Sequence, residues 1–345
     1  MKVGILTHPQ HINYGGILQC FALATYLRML GHEPIVIRRE QNKSNVIKRI
    51  LRSVLKFLGF KRYRQVISDR AVNIRPFVEK NINRTQAINS NLLMNNVCVQ
   101  YDLDAVLVGS DQVWRRDFAN DYGWNYFLDF VPQHIIKASY AASFGLSTWD
   151  YTNNEGQKIK ELLKSFKNVS VREKEAVDLC KDHLGVDAEV LIDPTMLLNA
   201  SIYGKYSSDR LIQDDYVFVY WLGDLNDISK DISEYRSLGY TVKVVTLRGE
   251  HVVDSIEDWL SYIKYAKIIL TDSFHGCVFS MIFHKQFVAY CNQSGGYGRI
   301  QSLFENMGIS EKLDNPQMGV DYALVDSHME KLRVKATNYL NKVLQ

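Results

Sequence analysis

Residues 267–283 read KIILTDSFHGCVFSMIF. The run KIIL is strand-like and CVFSMIF is equally apolar, yet Asp272, Ser273 and His275 stand between them. Asp or Ser at such a point is a natural helix N-cap, so the stretch reads as buried strand, tight turn and buried helix. An apolar strand followed at once by an apolar helix is the repeating unit of a parallel sheet covered on both faces. His275 then falls in the first helical turn beyond a strand's carboxyl end, where open α/β sheets bind their ligands.

The same alternation continues on either side. YVFVYWLG at 216–223, TVKVVTL at 241–247 and FVAY at 287–290 read as strands, with helical patterns over 226–238 and in SIEDWLSYI. Towards the N-terminus, KVGILT, PIVIR, YDLDAVLVGS, KASYAASF, NVSVRE and AEVLID read as strands. Helices are expected in GILQCFALATYLRML and over 153–165 and 173–182. Periodicity lapses between Asp193 and Asp215, where Pro, Asn, Ser and Asp gather, and this reads as a linker. The expected organisation is a Rossmann-like domain at 1–195, a linker at 196–215, a second such domain at 216–320 and a closing helix at 321–345.

Bulk properties agree with this division. A chain of 345 residues suits two domains, and 46% hydrophobic with 23% charged residues is ordinary for a water-soluble globular protein. The five cysteines are scattered without CxxC pairing, which points to a reducing compartment and away from a zinc site. No signal-peptide core and no run of about 18 apolar residues is present, so a cytoplasmic location is expected.

A net charge of +3 is too small to suggest nucleic acid. It is unevenly spread: ten Lys or Arg and one acid lie between Arg38 and Arg64. A basic amphipathic helix over 45–60 follows, with Lys48, Arg49, Arg52 and Lys56 on one face. It reads either as a packed helix with a solvated basic side or as a peripheral contact with an anionic membrane.

The strand-end loops carry the candidate chemistry. In THPQHINYGGILQ, Gly15 and Gly16 open a helix where backbone can approach a ligand, without completing a nucleotide fingerprint. His8 and His11 flank this loop and read as surface residues. VGSDQVW places Ser110 and Asp111 at a lip; Asp111 reads as a base or sugar ligand, or equally as a plain N-cap. Ser143 is small enough for close ligand approach. Trp114 reads as a sugar-stacking platform or, by default, as a buried core residue, and Trp124 and Tyr126 as exposed sugar-stacking candidates. SVREKE brings Arg172 and Lys174 to a helix start, an arrangement suited to an incoming anion. His275 reads as an acid/base, with Asp272 or Asp111 assisting.

Taken in order, NYGGILQCFAL, DAVLVGSDQVW, SYAASFG, SVREKE, IDPTMLL and TDSFHGCVFSMIF resemble the polysaccharide pyruvyl transferase family, over about residues 1–310. The resemblance implies two Rossmann-like domains arranged as in GT-B glycosyltransferases. It implies transfer of the carbon skeleton of phosphoenolpyruvate onto two hydroxyls of a sugar as a pyruvate ketal, with no tightly bound cofactor or metal. It carries the family's histidine to His275 and its donor-binding arginine to Arg172. Many relatives have Arg-Leu before the histidine where this chain has Ser273-Phe274, so Lys174, Arg248 or Arg299 would have to supply the missing cation.

On this reading His275, Asp272 and Asp111 do the chemistry, and Arg172, Lys174, Ser273 and Arg299 hold the donor. Asn13, Tyr14, Gly15, Gly16, Ser110, Trp114 and Ser143 face a sugar or lipid-linked oligosaccharide acceptor at the inner membrane face. Two other readings share this shape: a glycosyltransferase using a nucleotide sugar, for which GYGR at 296–299 is the one candidate loop, and a non-catalytic carbohydrate-binding relative.

Overall fold

The computed structural model describes residues 1–40, 70–119, 122–249, 251–290 and 297–345. The basic helix expected over 45–60 therefore lies outside the described residues. Two parallel sheets form the frame. In the first, β1 (Lys2–Leu6), β2 (Glu33–Val36), β3 (Ala105–Val108) and β4 (Ile136–Ser139) lie in the order β2-β1-β3-β4. Single bridges from Ala138 and Ala142 continue it to β5 (Ser170–Val171), which pairs with β6 (Glu189–Val190).

In the second sheet, β7 (Tyr216–Trp221), β8 (Thr241–Thr246), β9 (Ile268–Thr271) and β10 (Gln286–Ala289) repeat that order as β8-β7-β9-β10. The expected pair of doubly wound α/β units is present. Every residue of β3 and of β7 is buried, because both faces of a parallel sheet are covered by helices.

The strand expected in KASYAASF is shorter than its apolar pattern. It leaves the sheet after Ser139, where Ala141 takes a φ of +46° that a regular strand cannot hold. The stretch read as a linker does connect the two sheets, but it is part of the core. Pro194–Leu197 forms a single 3₁₀ turn and Ala200–Gly204 a short helix whose Tyr203 is fully buried and donates its hydroxyl to Thr195 O at 2.8 Å.

The halves share one apolar core. Tyr14, at the start of the helix Tyr14–Met29, stacks on Trp259 at 5.2 Å and meets Tyr220 edge-on at 5.9 Å. Such aromatic pairs add about 0.5–1.5 kcal/mol each beyond the area they bury. The closing helix Tyr322–Val343 runs back to the first half, where Tyr339 donates its hydroxyl to Ser139 O at 2.7 Å and Thr337 meets Tyr26 at 2.6 Å. Packed this way, the carboxyl ends of β3, β5 and β6 confront the carboxyl end of β9.

Candidate active site

The site begins with the helix Phe274–Ile282. Ser273 is its N-cap and accepts from Gly276 N at 3.3 Å, so the sequence's strand-turn-helix reading holds locally. The helix points His275 into the first half, against the start of the helix Tyr14–Met29. A Cβ on Gly15 would overlap the His275 ring, so only glycine admits the histidine there. A Cβ on Gly16 would come 3.4 Å from Asp111 Oδ2.

Across the junction stands Arg172, just beyond β5 and 4% exposed. Its Nη1 lies 3.0 Å from Asp193 Oδ2 and its Nε 2.9 Å from Glu173 Oε1. Asp111 Oδ1 is 4.0 Å from the same Nη1. Asp193 also reaches His275, whose Nε2 lies 3.5 Å from its Oδ2. The other carboxylate oxygen of Asp193 accepts from Thr195 N at 3.0 Å and Thr195 Oγ1 at 2.7 Å. Ser110 Oγ lies 3.3 Å from Asp193 Oδ2 and donates to Ala141 O at 2.8 Å.

Asp193 is therefore a buried carboxylate bridging the two residues named above all others for this chemistry. It stands inside the quoted IDPTMLL motif, yet nothing local marks it as a partner of Arg172 or His275.

Electrostatics follow from this arrangement. Burial alone would raise the Asp193 carboxyl, but His275 and Arg172 hold it well below the ordinary carboxylate range. Burial opposes the Arg172 charge, and Glu173, Asp193 and Asp111 restore it above its ordinary value. Burial works against ionised Asp111 in the same way, while His8, Arg172 and His275 keep its carboxyl low. Arg299 is pushed down from its ordinary value by burial and by the nearby Arg172 guanidinium. Two buried guanidiniums lining one cavity favour an anion between or beside them.

The Ser273-Phe274 departure acquires a physical role. The Arg172 guanidinium lies over the Phe274 ring at 4.4 Å, and the same ring meets the His275 imidazole edge-on at 5.2 Å. Phe274 therefore holds both groups by packing, through a cation–π contact and an aromatic edge. Arg299 lines one small cavity together with Arg172 and Phe274. Arg248 instead donates to Leu222 O at 2.9 Å, beside Asp272.

Several expected site residues turn out to have other work. Asp272 does not orient His275: its two oxygens accept Leu222 N at 2.8 Å and Gly223 N at 2.7 Å, tying the ends of β7 and β9 together. Burial leaves its carboxyl raised. Tyr14 is fully buried between the halves and donates its hydroxyl to Asp254 O at 3.0 Å, so it cannot face a sugar. Trp114 is likewise fully buried, stacked on Phe127 at 5.7 Å with its Nε1 donating to Tyr126 O, and offers no free face.

Tyr126 is buried too, and Trp124 is half-buried against Phe127. Asn13 caps the first helix by accepting Gly16 N at 3.1 Å. Ser143 is buried, its hydroxyl accepting Gly145 N at 3.0 Å. Lys174 is exposed, and its backbone N donates to Ser302 Oγ rather than to the Arg172 cluster.

Beside the Arg172 cluster lies a cleft of about 620 Å³. The first half lines it with the loop 145–148, Glu173 and Glu175, and the second half with Tyr297, Gly298, Arg299 and Gln301. A pocket open to solvent thus adjoins the buried ion-pair network on the side where the two halves meet.

The model of the family described as polysaccharide pyruvyl transferase matches residues 13–294 of this sequence, which span all the site elements just described. The chain belongs to the polysaccharide pyruvyl transferase family. No curated protein matches it in sequence.

Among solved structures, this family member is similar to the UDP-GlcNAc 2-epimerase from Neisseria meningitidis bound to UDP-GlcNAc. The identity is 12%, with 98% of this chain and 100% of that chain covered and a TM-score of 0.48. It is also similar to a glycosyltransferase from Rickettsia africae ESF-5, at 12% identity, 100% and 99% coverage and a TM-score of 0.47. The MurG of Acinetobacter baumannii is similar at 10% identity, 99% and 99% coverage and a TM-score of 0.40. Among the described residues, no helix of this pyruvyl transferase family member is long and apolar enough to cross a membrane.

Proposed function

We propose that this member of the family uses phosphoenolpyruvate as donor and closes a pyruvate ketal on two hydroxyls of a sugar in a cell-surface polysaccharide precursor. The observation that carries the reading is a pair of buried nitrogens, Arg172 Nη2 and His275 Nε2. Arg172 Nη2 makes no hydrogen bond among the described residues, and His275 Nε2 has only the long contact to Asp193 Oδ2 at 3.5 Å. Buried donors left short of partners are rare and costly, and a ligand bearing acceptor oxygens would satisfy them. Phosphoenolpyruvate offers a carboxylate and a phosphate, the groups that guanidinium binds in bidentate fashion.

His275 is the acid/base in this reading, held by Gly15, Phe274 and the Asp193 carboxylate. Arg172 grips the donor, with Arg299 beside it, and Asp193 orients both Arg172 and His275. The acceptor enters through the cleft between the loop 145–148 and Tyr297. A lipid-linked acceptor and a peripheral membrane position remain part of the proposal.

Incubation with phosphoenolpyruvate and a panel of methyl glycosides tests it, following inorganic phosphate and the methyl singlet of the ketal by NMR. The wild type is expected to release phosphate only when an acceptor is present. His275→Ala should lower turnover at least about 10²-fold. Consumption of a nucleotide sugar with phosphoenolpyruvate untouched would overturn the donor assignment.

A further inference from the structure

His8 stands in the loop after β1 and reads from the sequence as a surface residue, but the fold turns it inward. The β1–β3 register pairs Leu6 with Val108, so Thr7-His8 and Gly109-Ser110-Asp111 leave the sheet side by side. Thr7 Oγ1 donates to Ser110 O at 3.0 Å and locks the two loops together. The imidazole of His8 is gripped edge-on by Phe118 at 5.3 Å and Tyr126 at 5.4 Å. Its Nδ1 lies 3.3 Å from the Tyr126 hydroxyl. Its Nε2 is buried and makes no hydrogen bond among the described residues.

The neighbouring Asp111 is itself unusual. It is buried with a φ of +73°, a left-handed conformation uncommon for a residue other than glycine. Its Oδ1 accepts Gln112 N at 2.9 Å and faces Arg172. Burial opposes its charge, and His8 leads the groups that nonetheless keep its carboxyl low, ahead of Arg172 and His275. Arg172 thus faces two aspartates: Asp193, which also reaches His275, and Asp111, whose loop leaves the sheet beside that of His8.

This inference rests on the ketal-forming reading above. Ketal formation needs two hydroxyl deprotonations. In the first step the methylene carbon of phosphoenolpyruvate gains a proton and one sugar hydroxyl bonds to the adjacent carbon, losing its own proton. In the second, the carbon–oxygen bond to phosphate breaks, the second hydroxyl bonds to that carbon, and its proton leaves. Of the two hydroxyl protons, one balances the new methyl group and the other departs with phosphate.

We propose that His8, oriented by Tyr126 in the loop beside that of Asp111, is the base that takes the proton of the second hydroxyl, while His275 with Asp193 serves the first step. An imidazole fixed by packing, with one nitrogen tethered and the other unoccupied, is suited to accept a proton from a bound hydroxyl.

The test is single-turnover ³¹P and ¹H NMR of wild type and His8→Gln with phosphoenolpyruvate and a panel of methyl glycosides of galactose, glucose and mannose. His8→Gln should lower kcat at least about 10²-fold and should flatten the acidic limb of the pH–rate profile. It should accumulate an open adduct whose new tetrahedral carbon still carries the phosphate through oxygen. His275→Ala should instead leave phosphoenolpyruvate unreacted.

Tyr126→Phe keeps the ring packing and removes only the Nδ1 partner, so it guards against loss of fold. It should show the same adduct with a loss of about tenfold, because a general base depends on its alignment. Unchanged turnover, profile and product in His8→Gln, with an active wild type, would overturn this proposal alone. A wild type that forms no ketal with any of these acceptors would count against the donor reading and against this proposal with it.

Discussion

The strand order β2-β1-β3-β4 in the first half and β8-β7-β9-β10 in the second makes the ends of β3 and β9 topological equivalents. Each is followed by a buried or half-buried aspartate, Asp111 and Asp272, and the two have opposite fates. Asp272 spends both oxygens on backbone N–H groups at the end of the neighbouring strand, and burial raises its carboxyl. Asp111 accepts only one backbone N–H, from Gln112, and turns the same oxygen towards Arg172; His8, Arg172 and His275 outweigh burial and keep its carboxyl low.

Equivalent positions thus serve different purposes because the halves contribute differently. The first half brings the charged network of Asp111, Arg172, Glu173 and Asp193. The second brings a rigidly capped helix carrying one histidine.

The comparison can be broken most severely at Arg172. Arg172→Ala leaves Asp193 and Glu173 buried without their cation, which typically costs about 3–5 kcal/mol. Thermal denaturation should show a large loss of stability, and ketal formation should disappear. A second substitution, Asp193→Ala, made in that variant should recover part of the stability by removing the stranded charge.

A smaller effect is expected at Asp193. Its carboxyl is depressed in the fold, so the stability it contributes is complete above about pH 4 and is lost as pH falls through the acid range. Asp193→Asn should flatten that acid limb in urea titrations followed by fluorescence. It should also lower kcat by about tenfold or more through a misheld His275, since general acid–base help is worth roughly 10²–10⁴. An acid limb as steep as that of the wild type would mean the buried pair is not intact in solution.

The smallest change sharpens the contrast. Asp272 has a raised carboxyl, so the native state holds its proton longer than the unfolded chain, and stability falls as pH rises through that window. Asp272→Asn should remove this slope, of opposite sign to that of Asp193, in the same urea titrations. Turnover should change less than about threefold, because the side chain serves backbone N–H groups and not the reaction. A loss of turnover like that of His275→Ala would place Asp272 back beside the histidine.

Much of this was legible in the residues. Continuous apolar runs such as those of β3 and β7 announced parallel strands, and Ser273 announced its own cap. Arg172, His275 and Gly15 were all singled out, and the fold sets His275 against Gly15 and both Arg172 and His275 on Asp193. Asp193 was missed because its partners Ser110, Arg172 and His275 come from three separate stretches, and no local spacing links them. Asp272 misled for the reverse reason: three positions from His275 in sequence, it lies beside the end of β7, whose unpaired N–H groups claim it first. Trp114 and Tyr14 misled because an aromatic next to a strand-end loop can turn either to the lip or to the core, and the core removes more apolar surface from water.

The sequence by itself determined the parallel α/β framework, the identity of the strand-end loops and the capped helix that carries His275. These depend on hydrophobic periodicity and capping chemistry, which act over a few residues. Only the tertiary structure decided which carboxylate serves which cation, that Phe274 packs on both Arg172 and His275, and that His8 turns inward beside Asp111. Those pairings are set by strand register and by the docking of one half on the other, which join residues far apart in the chain.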